Sequence, residues 1–210
     1  MQINAITADT APAFAGDLLL AEYVHRAAND FAVACTEVHV AGREATLEQT
    51  RARLATVSRR LIALAEIQRL LLPPRRPFMD LGAELGVLCR LHTEARFAEQ
   101  RVFVQLHAED TVVDARRGWA MLAIVSELLT NAARHAFGGE GGVVSIDIAP
   151  HGGDILCTVS DDGIGMGRKS AGLGCGGVIV AELARRAGIA MIRRPRRVGT
   201  RFELRLPIEH

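Results

Sequence analysis

Residues 127–137 read "ELLTNAARHAF" and bring Glu127, Asn131, Arg134 and His135 close together in the chain. At about 100° per residue these four share one polar arc of a helix, and Met121, Leu122, Val125, Leu129 and Ala132 face the other way. The charges alone describe a solvated helix face. The asparagine at the centre asks for more, because it is a poor helix former. A second stretch, "SDDGIGMG" at 160–167, sets Asp161 and Asp162 at the end of an apolar run, followed by Gly163 and Gly165. An ordinary Asp-Gly turn has this composition, and so does a backbone that must pass close to a ligand. A third stretch, "GLGCGGVIVAEL" at 172–183, places Gly172, Gly174 and Gly176 ahead of an apolar helical segment. Backbone N–H groups at such a helix start bind phosphate. The dinucleotide-binding context of a preceding strand and a later acidic residue is missing.

The elements that hold these stretches mix two periods. "DLGAELGVLCRLHTEAR", "DARRGWAMLAIVSELLTNAARHAF" and "GGVIVAELARRAG" read as helices, the last ending at Gly188. "VVSIDIA", "DILCTVSD" and "RFELRLP" alternate as strands, most clearly in Phe202, Leu204 and Leu206 against Arg201, Glu203 and Arg205. Several strands follow one another directly, which predicts a mixed sheet with helices on one face.

The first third differs. A helix is expected from about Ala15 to Ala41, stopped by Gly42. "TLEQ" at 46–49 is a capping-box pattern that starts a second helix, with Thr46 as N-cap and Gln49 reaching back. In that helix Leu47, Thr50, Leu54, Val57, Leu61, Leu64, Gln68 and Leu71 alternate steps of three and four. An antiparallel hairpin leaves apolar stripes that a second copy would cover in a four-helix bundle. "PPRRP" at 73–77 ends the helix and marks the expected boundary, giving domains 1–74 and 78–210. On the first helix, in "AEYVHRAANDFAVAC", His25 points away from the stripe of Leu20, Val24, Ala27, Phe31, Cys35 and Val38. By spacing alone it is a solvated histidine.

Composition narrows the class. The 210 residues carry a net charge of +1 and only 4% aromatic residues, which argues against nucleic acid as a partner. Arginine dominates the basic residues, with Lys169 the single lysine. Cys35, Cys89, Cys157 and Cys175 are too dispersed for a zinc site or a disulfide framework. With no apolar run of membrane-spanning length and no leader-like N-terminus, a cytoplasmic protein without membrane insertion is expected.

The ordered set Glu-x-x-x-Asn-x-x-Arg-His, Asp-x-Gly-x-Gly, Gly-x-Gly-x-Gly-x-x-Ile-Val and "GTRFELRLP" resembles the GHKL ATPase family, which includes histidine kinases, gyrase B, Hsp90 and MutL. "EYVHRAAND" looks like the phosphoacceptor box of HWE-like histidine kinases, carried on a dimerising hairpin before the ATPase domain. The resemblance implies an α+β protein: a helical hairpin, then a two-layer ATP-binding sandwich with a mixed sheet. It implies ATP and Mg²⁺, with the metal at Asn131 and Glu127 as general base or positioner of the nucleophile. Arg134 and His135 would contact phosphates, and Asp161 would accept the adenine amino group. Gly163 and Gly165 would shape the adenine pocket, and Thr200 would assist there. Gly172, Gly174 and Gly176 would let the lid and helix approach the triphosphate, with Arg168 and Lys169 of the short "MGRKSA" lid adding phosphate contacts. His25 would be the phosphoacceptor and Asn29 would position water for dephosphorylation. The partners implied are a second copy, a response-regulator receiver domain and a separate sensor protein. Two rivals share parts of the pattern: a histidine phosphotransferase that relays phosphate without ATP, and an anti-sigma-type serine kinase of the same ATPase family.

Overall fold

The computed structural model describes residues 28–165 and 175–208. His25, Gly172, Gly174, Arg168 and Lys169 lie outside the described residues. The chain divides into two compact units, Met1–Leu54 and Ala55–His210.

In the first unit, helix α1 covers residues 28–41 and gives way to a turn at Gly42. The capping box forms as its sequence requires. Thr46 N–H donates to Gln49 Oε1 and Gln49 N–H donates to Thr46 Oγ1, both at 3.2 Å. Two otherwise orphaned donors at the start of helix α2 (Leu47–Leu70) are thereby satisfied. An Arg53–Glu44 ion pair at 2.6 Å braces the turn. Phe31, Val38, Leu47 and Leu54 are exposed.

The second unit begins inside α2. There Val57 and Leu64 of the heptad seam are buried, together with Ala63 and Ile67 between its steps. Strands β1 (Phe78–Asp80) and β3 (Val112–Asp114) pair antiparallel as a short ribbon. Each strand ends in an aspartate that caps a helix. Asp80 accepts from Ala83 N–H at the start of α3 (Leu81–His92). Asp114 accepts from Arg116 and Arg117 N–H at 3.0 and 3.1 Å at the start of α4 (Ala115–His135). Each such cap is worth about 1 kcal/mol. A π-helical turn over Thr93–Phe97 extends α3.

The main sheet has the order β2-β4-β5-β7-β6, from β2 (Val102–Ala108), β4 (Gly142–His151), β5 (Asp154–Asp161), β7 (Thr200–Pro207) and β6 (Ala190–Arg194). β2 and β4 run parallel and the other neighbours antiparallel, so the sheet is mixed as expected. Helices α3, α4 and α5 (Cys175–Ala187) complete the unit. Period-two burial runs Ile155, Cys157 and Val159 on β5 into Phe202, Leu204 and Leu206 on β7. With Met121, Leu122, Ile124, Val125 and Leu129 of α4 they belong to one core, which also takes in Ala63, Leu64 and Ile67. Trp119 Nε1 donates to Leu71 O at 2.9 Å, a further tie between α4 and the segment after α2.

Inside that core His92 is fully buried, with its Nε2 3.0 Å from Ser126 Oγ and its Nδ1 without a hydrogen-bond partner. Burial, reinforced by the nearby Arg96 guanidinium, pushes its pKa down from 6.5 to about 3. The unfolded chain therefore takes up a proton below pH 6.5 that the folded chain refuses, and stability falls as pH falls through that window. Urea titrations should show the wild type losing up to about 2 kcal/mol between pH 7 and pH 5 from this group. His92→Gln, which keeps a polar partner for Ser126 but cannot titrate, should lose correspondingly less.

Candidate functional site

A cleft opens where the C-terminal half of α4 faces the ends of β4, β5 and β7. Its apolar floor includes Leu128, Val144, Val159 and Phe202, and its polar lining includes Asn131, His135, Ser160, Asp161 and Thr200. The helical repeat brings Asn131 and His135 to the same wall. Glu127, one turn before Asn131, is buried and not part of a solvated face, which the sequence pattern alone suggested. Arg134 is exposed and does not line the cleft.

Asp161, the last residue of β5, is the chemical centre of the cleft. It is 8% exposed, and its Oδ1 accepts from Gly163 N–H at 3.1 Å and from Thr200 N–H at 3.2 Å. Thr200 is brought there by register, since Asp161 pairs with Thr200 across β5 and β7. Burial is the largest influence on the carboxyl and raises its pKa above the usual 3.8, against the pull of the two backbone donors. The neighbouring Asp162 serves the fold, because its Oδ1 accepts from Val143 N–H at 2.7 Å and fastens the turn to β4.

Three glycines let the backbone close around Asp161. A Cβ on Gly163 would lie 2.2 Å from Ala136 O, so no other residue fits between β5 and the end of α4. Ile164 N–H donates to that same carbonyl at 2.9 Å. Gly165 has φ +72° and lines the cleft. Gly199, which opens the "GTRFELRLP" motif but was given no role of its own, has φ +73°, and a Cβ there would lie 1.8 Å from Asp161 O. Its position just before Thr200 was the available signal. Arg196, also overlooked, donates from Nη1 to Asp161 O at 3.4 Å. Gly176 lies in the first turn of α5, and Asn29 lies exposed on α1 in the other unit.

Residues 120–210 match the family model described as histidine kinase-, DNA gyrase B- and HSP90-like ATPase. That stretch, which includes the cleft residues Asn131, His135, Asp161 and Thr200, is similar to the ATPases of that family. Among solved structures, the blue-light activated histidine kinase EL346 of Erythrobacter litoralis is 26% identical, with a TM-score of 0.57 over 83% of this chain. This chain spans 62% of that kinase's length. The separate histidine kinase domain of the same protein is 23% identical, with a TM-score of 0.57 over 84% of this chain and 96% of that one. A bacterial phosphotransferase, 13% identical, shares the fold with a TM-score of 0.65 over 96% of this chain and 98% of its own. Among the curated proteins no sequence matches this chain.

The cleft makes two stability predictions. In the folded domain the ionised form of Asp161 is disfavoured, so the carboxylate costs stability at neutral pH and that cost fades as pH falls through its raised pKa. Asp161→Asn should therefore melt no lower than wild type at pH 7 in a calorimetric scan, although it removes the group at the centre of the cleft. Gly199→Ala should behave oppositely. A positive φ and a close carbonyl oppose any Cβ, so it should cost at least about 1 kcal/mol and lower the melting temperature by about 2–4 °C or more.

Proposed function

We propose that the chain is a histidine kinase core that moves the γ-phosphoryl group of ATP onto His25 and then to an aspartate of a response-regulator receiver domain. The observation that carries the reading is the clamped carboxylate. Asp161 has one oxygen held by two backbone N–H groups, and its second oxygen can accept the amino group of adenine. The "EYVHRAAND" box supports His25 as acceptor, and residues 1–74 and 78–210 are the proposed hairpin and catalytic domains.

Phosphoryl transfer demands positioning and charge neutralisation more than covalent help. The lone pair of one His25 ring nitrogen attacks the γ-phosphorus, and ADP leaves with the electrons of the P–O bond. Glu127 orients the nucleophile or takes up its proton, and His135 meets the phosphates from the cleft wall. Arg134 reaches them from outside the wall, with the glycines at 172, 174 and 176 supplying close backbone approach. Among the described residues no group of three or more His, Cys, Asp or Glu could hold a metal. Asn131 fits the alternative: half-buried in the cleft wall, it offers an amide oxygen of the kind Mg²⁺ accepts when phosphates complete its shell. Mg²⁺, when bound, would neutralise developing phosphate charge. Asn29 is assigned to positioning water for dephosphorylation, and a separate sensor protein to delivering the input. Among the described residues no helix is long and apolar enough to cross a membrane.

Incubation with γ-labelled ATP and Mg²⁺ should leave an acid-labile, base-stable label on the wild type and none on His25→Ala. Equal labelling of both would remove His25 from the mechanism, and an acid-stable label would favour the serine-kinase rival. The phosphotransferase rival draws on the fold shared with the bacterial phosphotransferase. It would gain if the wild type bound no ATP in calorimetry yet accepted label from a phosphorylated receiver domain.

The homodimer is proposed from the exposed apolar residues of the first unit. Phe31 is 64% exposed and Leu47 66%, too much for a helix pair that stays alone in water. Leu47→Glu combined with Leu54→Glu should sediment as a monomer, where the wild type sediments as a dimer at micromolar concentration. A monomeric wild type would rule the dimer out.

A further inference from the structure

The clamp on Asp161 takes one donor from the start of β7, beside an exposed turn whose two ends are held by the β6–β7 pairing with its Arg194–Glu203 ion pair and by the Asp161–Thr200 pairing. Thr200 N–H reaches the carboxylate through the β5–β7 register, at the point where the turn from β6 to β7 comes down against the end of β5. That turn is built from residues 195–199, "PRRVG", and leads from the outermost strand of the sheet. Residues 192–198 are all exposed, Val198 at 58%, so no apolar side chain of the turn anchors it in the core. Beyond the strand pairing at its ends, two features let the turn close onto β5. Gly199 removes the Cβ that would strike Asp161 O, and Arg196 donates from Nη1 to that same oxygen. The glycine permits the approach but supplies no attraction. The guanidinium supplies one, through a rigid fork of donors.

We propose that Arg196 is a positioning residue for base selection: by holding the β6–β7 turn on the Asp161 carbonyl it keeps Thr200 N–H on Asp161 Oδ1, and so fixes the orientation in which the carboxylate accepts an amino group and rejects a carbonyl. This rests on the ATP-binding reading above. A carboxylate pinned through one oxygen accepts a hydrogen bond from the 6-amino group of adenine. Hypoxanthine carries an oxygen at that place, and two acceptors face each other with no proton between them. With the turn less closely held, Thr200 N–H draws away from Oδ1, and the carboxylate, held by Gly163 N–H alone, fixes its second oxygen less well and discriminates less. Arg196 therefore acts through Asp161 and touches neither the phosphates nor the reacting atoms.

The test compares ATP with ITP, which differ at the 6-position of the base, in calorimetric titrations of the full chain and its Arg196→Ala and Arg196→Lys variants. Arg196→Ala should weaken ATP about tenfold, the worth of one hydrogen bond from a charged donor, and leave ITP nearly unchanged. Arg196→Lys keeps a donor and should recover part of the ATP/ITP ratio. At saturating ATP the rate of self-labelling should stay near wild type for both variants, so that the change appears in KM and not in kcat. An equal loss for ATP and ITP would mean a phosphate contact and would overturn the proposal, as would an unchanged ratio. A variant melting far below wild type with both affinities lost would reduce Arg196 to a folding residue and overturn it too. If the wild type binds ATP selectively but never labels His25, the kinase reading fails and this one stands. If the wild type binds neither nucleotide, both fail.

Discussion

A largely buried carboxylate must be satisfied mainly by the protein around it, and Asp161 makes that demand where three parts of the chain meet. Its Oδ1 takes one N–H from the turn that follows β5 and one from the first residue of β7. Neither donor arrives unless the backbone passes closer than a side chain allows, which is why Gly163 and Gly199 abut backbone carbonyls with no room for a methyl group. The turn is fastened in addition to β4 through Asp162 and to the end of α4 through Ile164. Because α4 ends against that turn, the wall carrying Asn131 and His135 is set at a fixed place relative to Asp161. The cost of burying this charge thus organises four elements, and the raised pKa shows that the donors offset only part of it.

Where a pattern expresses a local cause, it could be read from the sequence. β5 has the bounds that "DILCTVSD" announced, because its alternation is a buried face against a less buried one. Thr46 and Gln49 make both capping-box bonds because four residues settle that geometry among themselves. β2 and β6 escaped notice for physical reasons. Phe103 points outward on β2 at 71% exposure and blurs the alternation, and β6 is an edge strand that is mostly exposed. The three-residue strands β1 and β3 are too short to carry a period.

The same distinction holds within the cleft. Motif order singles out Asn131, Asp161, Gly163, Gly165 and Thr200 together, and the fold brings them to one place. Glu127 read as solvated because a wheel counts a charged side chain as outward, whereas α4 is covered on most of its circumference. Arg196 left no trace in the pattern because its partner is a backbone carbonyl, which has no residue type. Gly199 stands at the head of the "GTRFELRLP" motif, but no residue type in that pattern reports the backbone carbonyl it packs against.

The ribbon of β1 and β3 has a kinetic consequence. It pairs Phe78 with Asp114 and Asp80 with Val112, residues separated by the whole of α3 and β2, and its two aspartates start α3 and α4. Closing so long a loop for three residue pairs is entropically unfavourable until the helices it starts have found each other. Ribbon, caps and helices must therefore assemble in one cooperative step, not as local pieces that later dock. Among the parts of the domain, the wall bearing Asn131 thus depends for its order of formation on contacts at the opposite end of α4.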